Sequence, residues 1–157
     1  VYKRQIDGVK IDCIAHKYAY LRQPYAESGI RLYSIEDIVA MKLSAIADDG
    51  SRLKDFVDIA CLSTRIPFYE MLKCYERKFP QANVIRPFKA LTYFDDIDFG
   101  EDIVMLNFEY DWKQIARRLK EMTVRQEHIF SQWPLKEQKR PVAEDKDTTS
   151  MKRGRKR

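Results

Sequence analysis

The stretch IRLYSIEDIVAMKLSAIADDGSRLKDFVDIACL, residues 30–62, decides how this chain is read. From Ile35 an apolar stripe runs through Ile38, Val39, Ala45 and Ile46 at the three- and four-residue spacing of a core-facing helix. Lys42 follows Ile35 by two turns and falls within about 20° of it around the helix. The spacing therefore puts a lysine inside the stripe instead of on the wet face. Ser34 offers an N-cap, with Asp37 as a carboxylate in the first turn. Gly50 suits the C-terminal stop, and Ser51 can cap a second helix running to about Thr64. In that second helix Asp55 and Asp58 lie one turn apart on a shared face. A buried-face ammonium requires a partner, because an isolated charge in apolar surroundings costs several kcal/mol. An αα-hairpin brings the two carboxylates to it. As chemistry, this is a cation at the rim of an acidic cleft. As structure, it is a Lys–Asp bridge, or a lysine whose stem is buried while its head reaches water. Spacing alone favours the bridge.

Upstream, Val9, Ile11 and Cys13 alternate with Lys10, Asp12 and Ile14, as in a strand following an Asp7-Gly8 turn. Tyr18 to Ser28 reads as a loop, and Ile30 to Tyr33 as a short extended piece. Downstream, Pro67 opens a third helix through Phe79, with Phe68, Met71, Leu72 and Tyr75 on one face, and Pro80 ends it. Residues 86–94 predict a short helix. Asp111 caps a last one from Trp112 to about Phe130, striped by Trp112, Ile115, Ala116, Leu119 and Met122. The expected class is α+β, with one or two strands in residues 1–33 and a mainly α-helical bundle in residues 34–132. A single strand pair is not stable alone. It either pads the bundle or belongs to the back part of a larger α+β protein with further strands upstream.

At 157 residues the chain accommodates one domain with tails. Hydrophobic content of 45% with 12% aromatic residues excludes wholesale disorder. No apolar run is long enough to cross a membrane, and no charged-then-apolar leader is visible. Cys13, Cys61 and Cys74 are odd in number and lack metal-ligand spacing, which predicts reduced, buried thiols in a cytoplasmic protein. The formal charge of +5 is unevenly placed. Residues 133–157 are expected to form a disordered basic tail, ending in the Lys152-Arg153-Gly154-Arg155-Lys156-Arg157 cluster. That cluster is a solvated tail, a weak contact for nucleic-acid phosphates, or a nuclear address.

The IRLYSIEDI lead-in, the helix with Met41-Lys42-Leu43, the short loop and Arg52-Leu53-Lys54-Asp55-Phe56-Val57-Asp58-Ile59 resemble a known family. Their order is similar to the lysine and Asp-x-x-Asp motifs of the AbiEii/AbiGii-type nucleotidyltransferase toxins. The resemblance covers roughly residues 6–130. It departs at Lys54, where the family usually carries arginine, so the positive charge survives but the bidentate fork does not. The resemblance implies a nucleotidyltransferase fold and the transfer of a nucleotide from a nucleoside triphosphate (NTP) to tRNA or protein. It also implies Mg²⁺ and a cognate antitoxin in a toxin–antitoxin or phage-defence pair. Lys42 would contact nucleotide phosphate as a point charge, with Asp55 and Asp58, the other catalytic residues, orienting that lysine or holding the helix ends near the substrate. Val9-Lys10-Ile11-Asp12 resembles a strand on which the family carries a further acidic position, so Asp12 is either a metal ligand or an edge-strand carboxylate facing water. The family's Gly-Ser turn and Asp-x-Asp strand, which bind triphosphate and metal, are not found ahead of Asp12. The chain is therefore expected to be a back portion, inactive alone, with a non-catalytic module that binds antitoxin or nucleic acid as the rival.

Asp96-Ile97-Asp98 has the look of a metal pair, but it follows the lysine helix and lacks a Gly-Ser lead-in. A helix end and an acidic surface loop is the expected assignment. His16 and His128 sit in no nucleophile or zinc pattern. Trp112, Trp133, Tyr18, Tyr20, Tyr25 and Tyr33 offer either stacking surfaces for RNA bases or core anchors.

Overall fold

Two antiparallel hairpins open the chain, each closed by a two-residue turn with both residues at positive φ. The computed structural model describes residues 2–138 apart from 14, 16, 101, 102 and 106, and leaves the side chains of Tyr2, Lys3, Lys10 and Asp12 undescribed. Strands β1 (Tyr2–Ile6) and β2 (Val9–Cys13) pair with Ile6 opposite Val9, around Asp7 at φ 50° and Gly8 at φ 80°. Strands β3 (Tyr25–Glu27) and β4 (Ile30–Leu32) repeat the device at Ser28, φ 51°, and Gly29, φ 80°. Such turns match the right-handed twist of the strands they join. The segment expected to be a loop up to Ser28 therefore contains β3, because Ser28-Gly29 is itself a hairpin turn.

The helices follow: α1 (Ile35–Asp48), α2 (Leu53–Leu62), α3 (Phe68–Lys78), α4 (Ile85–Ala90) and α5 (Trp112–Val124). Ser34 caps α1, its hydroxyl accepting from the Asp37 amide at 3.1 Å. Gly50, at φ 56°, takes the left-handed position just beyond that helix. Ser51 does not cap α2; Arg52 is the N-cap and makes no side-chain cap bond. Asp111 caps α5, accepting from the Lys113 amide at 2.9 Å. That helix stops at Val124, short of the expected Phe130, and the chain doubles back so that the Phe130 amide bonds the Ser63 carbonyl.

Helix α1 packs against α2, α3 and α4, and α2 packs against α5. Three neighbours cover more of α1 than one stripe. Its buried apolar residues are Val39, Ala40, Leu43 and Ile46, while Ile35 is 41% exposed. The apolar face is thus rotated from the expected one, and Lys42 sits at its edge, not within it. Phe56, Phe68, Met71, Tyr75, Leu91, Ile115, Leu119 and Met122 complete the core, and Trp112 packs edge-on against Phe56, Phe94 and Phe99.

A third ladder joins β5 (Phe108–Tyr110) to β6 (Leu135–Glu137), with Tyr110 opposite Leu135. The region from residue 133, expected to lack order, thus begins with a paired strand, and Leu135 packs against the core. Residues 139–157 lie outside the described set. Contrary to expectation, Cys13 is exposed; Cys61 is half-buried and Cys74 buried. Cys13 is on a hairpin whose neighbouring apolar residues Ile6, Val9 and Ile11 are exposed as well. Ile97 is buried against the core while Asp96 and Asp98 face solvent, as a surface loop requires. No described helix is long and apolar enough to cross a membrane.

Candidate active site

Lys42 projects from the third turn of α1 toward α2, where Asp55 and Asp58 stand one helical turn apart. Its ammonium donates to Asp55 Oδ1 at 2.6 Å and lies 2.6 Å from Asp58 Oδ2. The two carboxylates occupy different environments. Asp55 is 2% exposed and Asp58 48%, with Lys42 between them at 27%. Arg52, at the N-cap of α2, brings its Nε to 3.7 Å from Asp55 Oδ2. That oxygen is buried and receives no hydrogen bond.

Burial opposes the Lys42 charge, but its hydrogen bonds to Asp55 and Asp58 outweigh this and hold the pKa above the ordinary lysine range. Lys42 is therefore a permanent cation. An ammonium has three protons; Asp55 and Asp58 engage two, and one remains for an incoming oxygen. Cys61, one turn beyond Asp58 on α2, is not a nucleophile. Burial, with help from the Asp58 charge and against the pull of Arg118, pushes its thiol up to about 12.

Mg²⁺ asks for several hard oxygen donors around one point. Among the described residues no group of three His, Cys, Asp or Glu side chains is placed to hold a metal. Asp55 and Asp58 close on Lys42 instead, so this cluster fits a phosphate-facing cation and not a metal centre. The Asp12 side chain and His16 lie outside the described residues, while the Asp12 backbone pairs with Lys3 in the first hairpin.

A second lysine–aspartate pair escaped the sequence reading. Lys78 of α3 donates to Asp37 Oδ1 at 2.6 Å, and both side chains are fully buried. Asp37 also accepts from Ser34 Oγ at 2.7 Å, from the Leu21 amide at 3.0 Å and from the Arg22 amide at 3.2 Å. Burial would raise its pKa, yet these four donors hold it at about 2. Lys78 follows Met71 by two turns, the same spacing by which Lys42 follows Ile35.

No curated protein and no solved structure matches this chain. Residues 12–136 match the model of a protein family described as nucleotidyl transferase AbiEii toxin, type IV toxin–antitoxin system. The match spans both lysine–aspartate pairs and every described helix, and it includes the lysine and Asp-x-x-Asp motifs that the fold brings together. The chain belongs to the family of AbiEii nucleotidyltransferase toxins of type IV toxin–antitoxin systems.

Proposed function

We propose that Lys42, Asp55 and Asp58 form the rear wall of a nucleotidyl-transfer site that takes an NTP and passes its nucleotide to tRNA or protein. The observation that carries this reading is the half-open ammonium, fixed at 2.6 Å by two carboxylates and left with one proton unspent. In the transfer, an acceptor hydroxyl attacks the α-phosphorus and the bond to the β-phosphate breaks. Pyrophosphate departs and the hydroxyl proton passes to solvent. Negative charge grows on the phosphate oxygens, and a preorganised cation lowers its cost. Asp55, inside the core, anchors Lys42 from below; Asp58, at the surface, aims it. Neither carboxylate acts on the substrate directly. The reaction's Mg²⁺ does not fit this cluster, and Asp12 remains the proposed metal ligand. An antitoxin is the functional counterpart that a type IV system supplies.

A second reading has its own support. Ile6, Val9 and Ile11 on the first hairpin, and Ile30 and Leu32 on the second, are all exposed. Such residues favour a module that binds a partner without catalysis. One experiment separates the two. The full-length protein is incubated with each radiolabelled NTP and with bulk tRNA or lysate protein. Label should appear on one acceptor and vanish in Lys42→Met at unchanged melting temperature. Labelling that persists in Lys42→Met, or none with any NTP, removes the catalytic reading.

A further inference from the structure

We propose that a pocket between α5 and the segment 125–134 binds a backbone phosphate of a nucleic-acid strand. This goes beyond the transfer reading and does not rest on it. The pocket encloses about 290 Å³ and is lined by Arg117, Arg118, Arg125, His128, Phe130 and Trp133. Among the described residues none of the three arginines forms an ion pair, although Glu121 shares the wall. Three guanidinium groups beside a single carboxylate repel one another, so the fold has to hold them in place. Arg118 is fixed by donating to Ser63 Oγ at 3.0 Å and to the Gln132 carbonyl at 2.9 Å. Its guanidinium lies 4.2 Å from the centre of the Phe130 ring, and that of Arg125 lies 5.8 Å from it. His128 meets the same ring edge-on at 4.7 Å.

Phe130 is thus a buried post around which two cations and an imidazole are arranged. Burial lowers the Arg118 pKa; the Glu121 carboxylate opposes this, and the like charge of Arg117 adds to it. An arriving anion offsets the repulsion between the guanidinium groups. Planar guanidinium forks suit the tetrahedral oxygens of a phosphate. The neighbouring aromatic favours nucleic acid over an acidic protein segment. Trp133 stands at the rim, 54% exposed and stacked on Phe108, where a base next to the bound phosphate can lie against it. The pocket borders the end of α2, since Arg118 donates to Ser63 just beyond that helix.

The test uses the full chain with Lys152, Arg153, Arg155, Lys156 and Arg157 changed to serine, so that tail charge does not mask the pocket. Binding of a short fluorescein-labelled oligouridine is followed by anisotropy across a salt series. Arg117 and Arg125 are exposed, so Arg117→Gln/Arg125→Gln should fold normally, and circular dichroism checks this. We expect the double variant to bind at least about tenfold more weakly, with the slope of log affinity against log salt reduced by about two. Lys89→Gln, an exposed cation on α4 outside the pocket, should bind as the parent does, which ties the loss to these arginines. An unchanged affinity and slope in the double variant overturns the pocket, as does a parent that does not bind the oligomer. Arginine-dependent binding of polyglutamate in preference to oligouridine assigns the pocket to an acidic protein and overturns the nucleic-acid proposal. Displacement of the oligomer by micromolar inorganic phosphate assigns it to a free anion, with the same result.

Discussion

Replacing Asp55 and Asp58 separately by asparagine tests whether the two carboxylates around Lys42 have different jobs. Both hold the ammonium at 2.6 Å, but one is 2% exposed and the other 48%. In Asp58→Asn the ammonium keeps Asp55, and the charge removed was already half solvated. The cost should be about 0.5–1 kcal/mol. In Asp55→Asn the amide sits where no acceptor is available. Turned one way its NH₂ meets Lys42; turned the other it replaces the orphaned Oδ2 and meets Arg52, whose Nε is 3.7 Å from that oxygen. The change therefore removes a charge-assisted hydrogen bond worth about 1.5–3 kcal/mol and leaves a buried donor unpaired. We expect a loss of about 3 kcal/mol. Urea denaturation at neutral pH reads both values from the midpoint at unchanged slope. Growth inhibition by the full-length protein is measured alongside. Asp58→Asn should abolish toxicity with little loss of stability. Equal destabilisation by the two variants refutes the burial argument. A stable, fully toxic Asp58→Asn protein would show that the cluster is a structural bridge.

Three further outcomes follow from the geometry. Asp37 has a folded pKa of about 2 against an ordinary 3.8, so its stabilisation is present above about pH 4 and lost as pH falls toward 2. The shift corresponds to about 2 kcal/mol, and Asp37→Asn should flatten the stability profile across that window while lowering stability at neutral pH by stranding Lys78. Ser34→Ala removes both the cap on α1 and one donor to Asp37, and should cost about 1–2 kcal/mol by thermal denaturation. An aromatic disulfide reagent at mild alkaline pH should modify Cys13 at once in the native protein, and Cys61 and Cys74 only on unfolding, because burial raises both of their pKa values; rapid modification of all three contradicts the packing.

What could be read in the sequence was local. The Ser34 and Asp111 caps, the Gly50 stop, the Asp7-Gly8 turn and the Lys42–Asp55–Asp58 meeting all depend on residues close together in the chain. Ser28-Gly29 was equally local, but the residues of β3 do not alternate clearly enough to suggest a strand. The rotated face of α1 could not be read from its own pattern, since α2, α3 and α4 decide which side is covered. The early end of α5 has the same origin: Arg125 and His128 keep a helical look, yet the Phe130 amide is claimed by the Ser63 carbonyl. Lys78 and Asp37 are separated by 41 positions, and only the packing of α3 on α1 unites them.

The two lysine–aspartate pairs share one chemistry and differ in how completely it is closed. Protein donors occupy Asp37, and neither its side chain nor that of Lys78 has exposed surface. A fully enclosed pair of this kind can tie the 19–22 segment to α1 and α3 but cannot meet a substrate, because Lys78 also donates inward, to the Ala19 carbonyl. Around Lys42 the enclosure is left incomplete on both sides. Asp55 keeps an oxygen without a hydrogen bond, Asp58 is half in solvent, and the ammonium itself is reachable. A scaffold gains from closure, as Asp37 illustrates; a charge that must act on a transient anion gains from being rigid and unsatisfied. That contrast is why the transfer reading rests on Lys42 and not on Lys78.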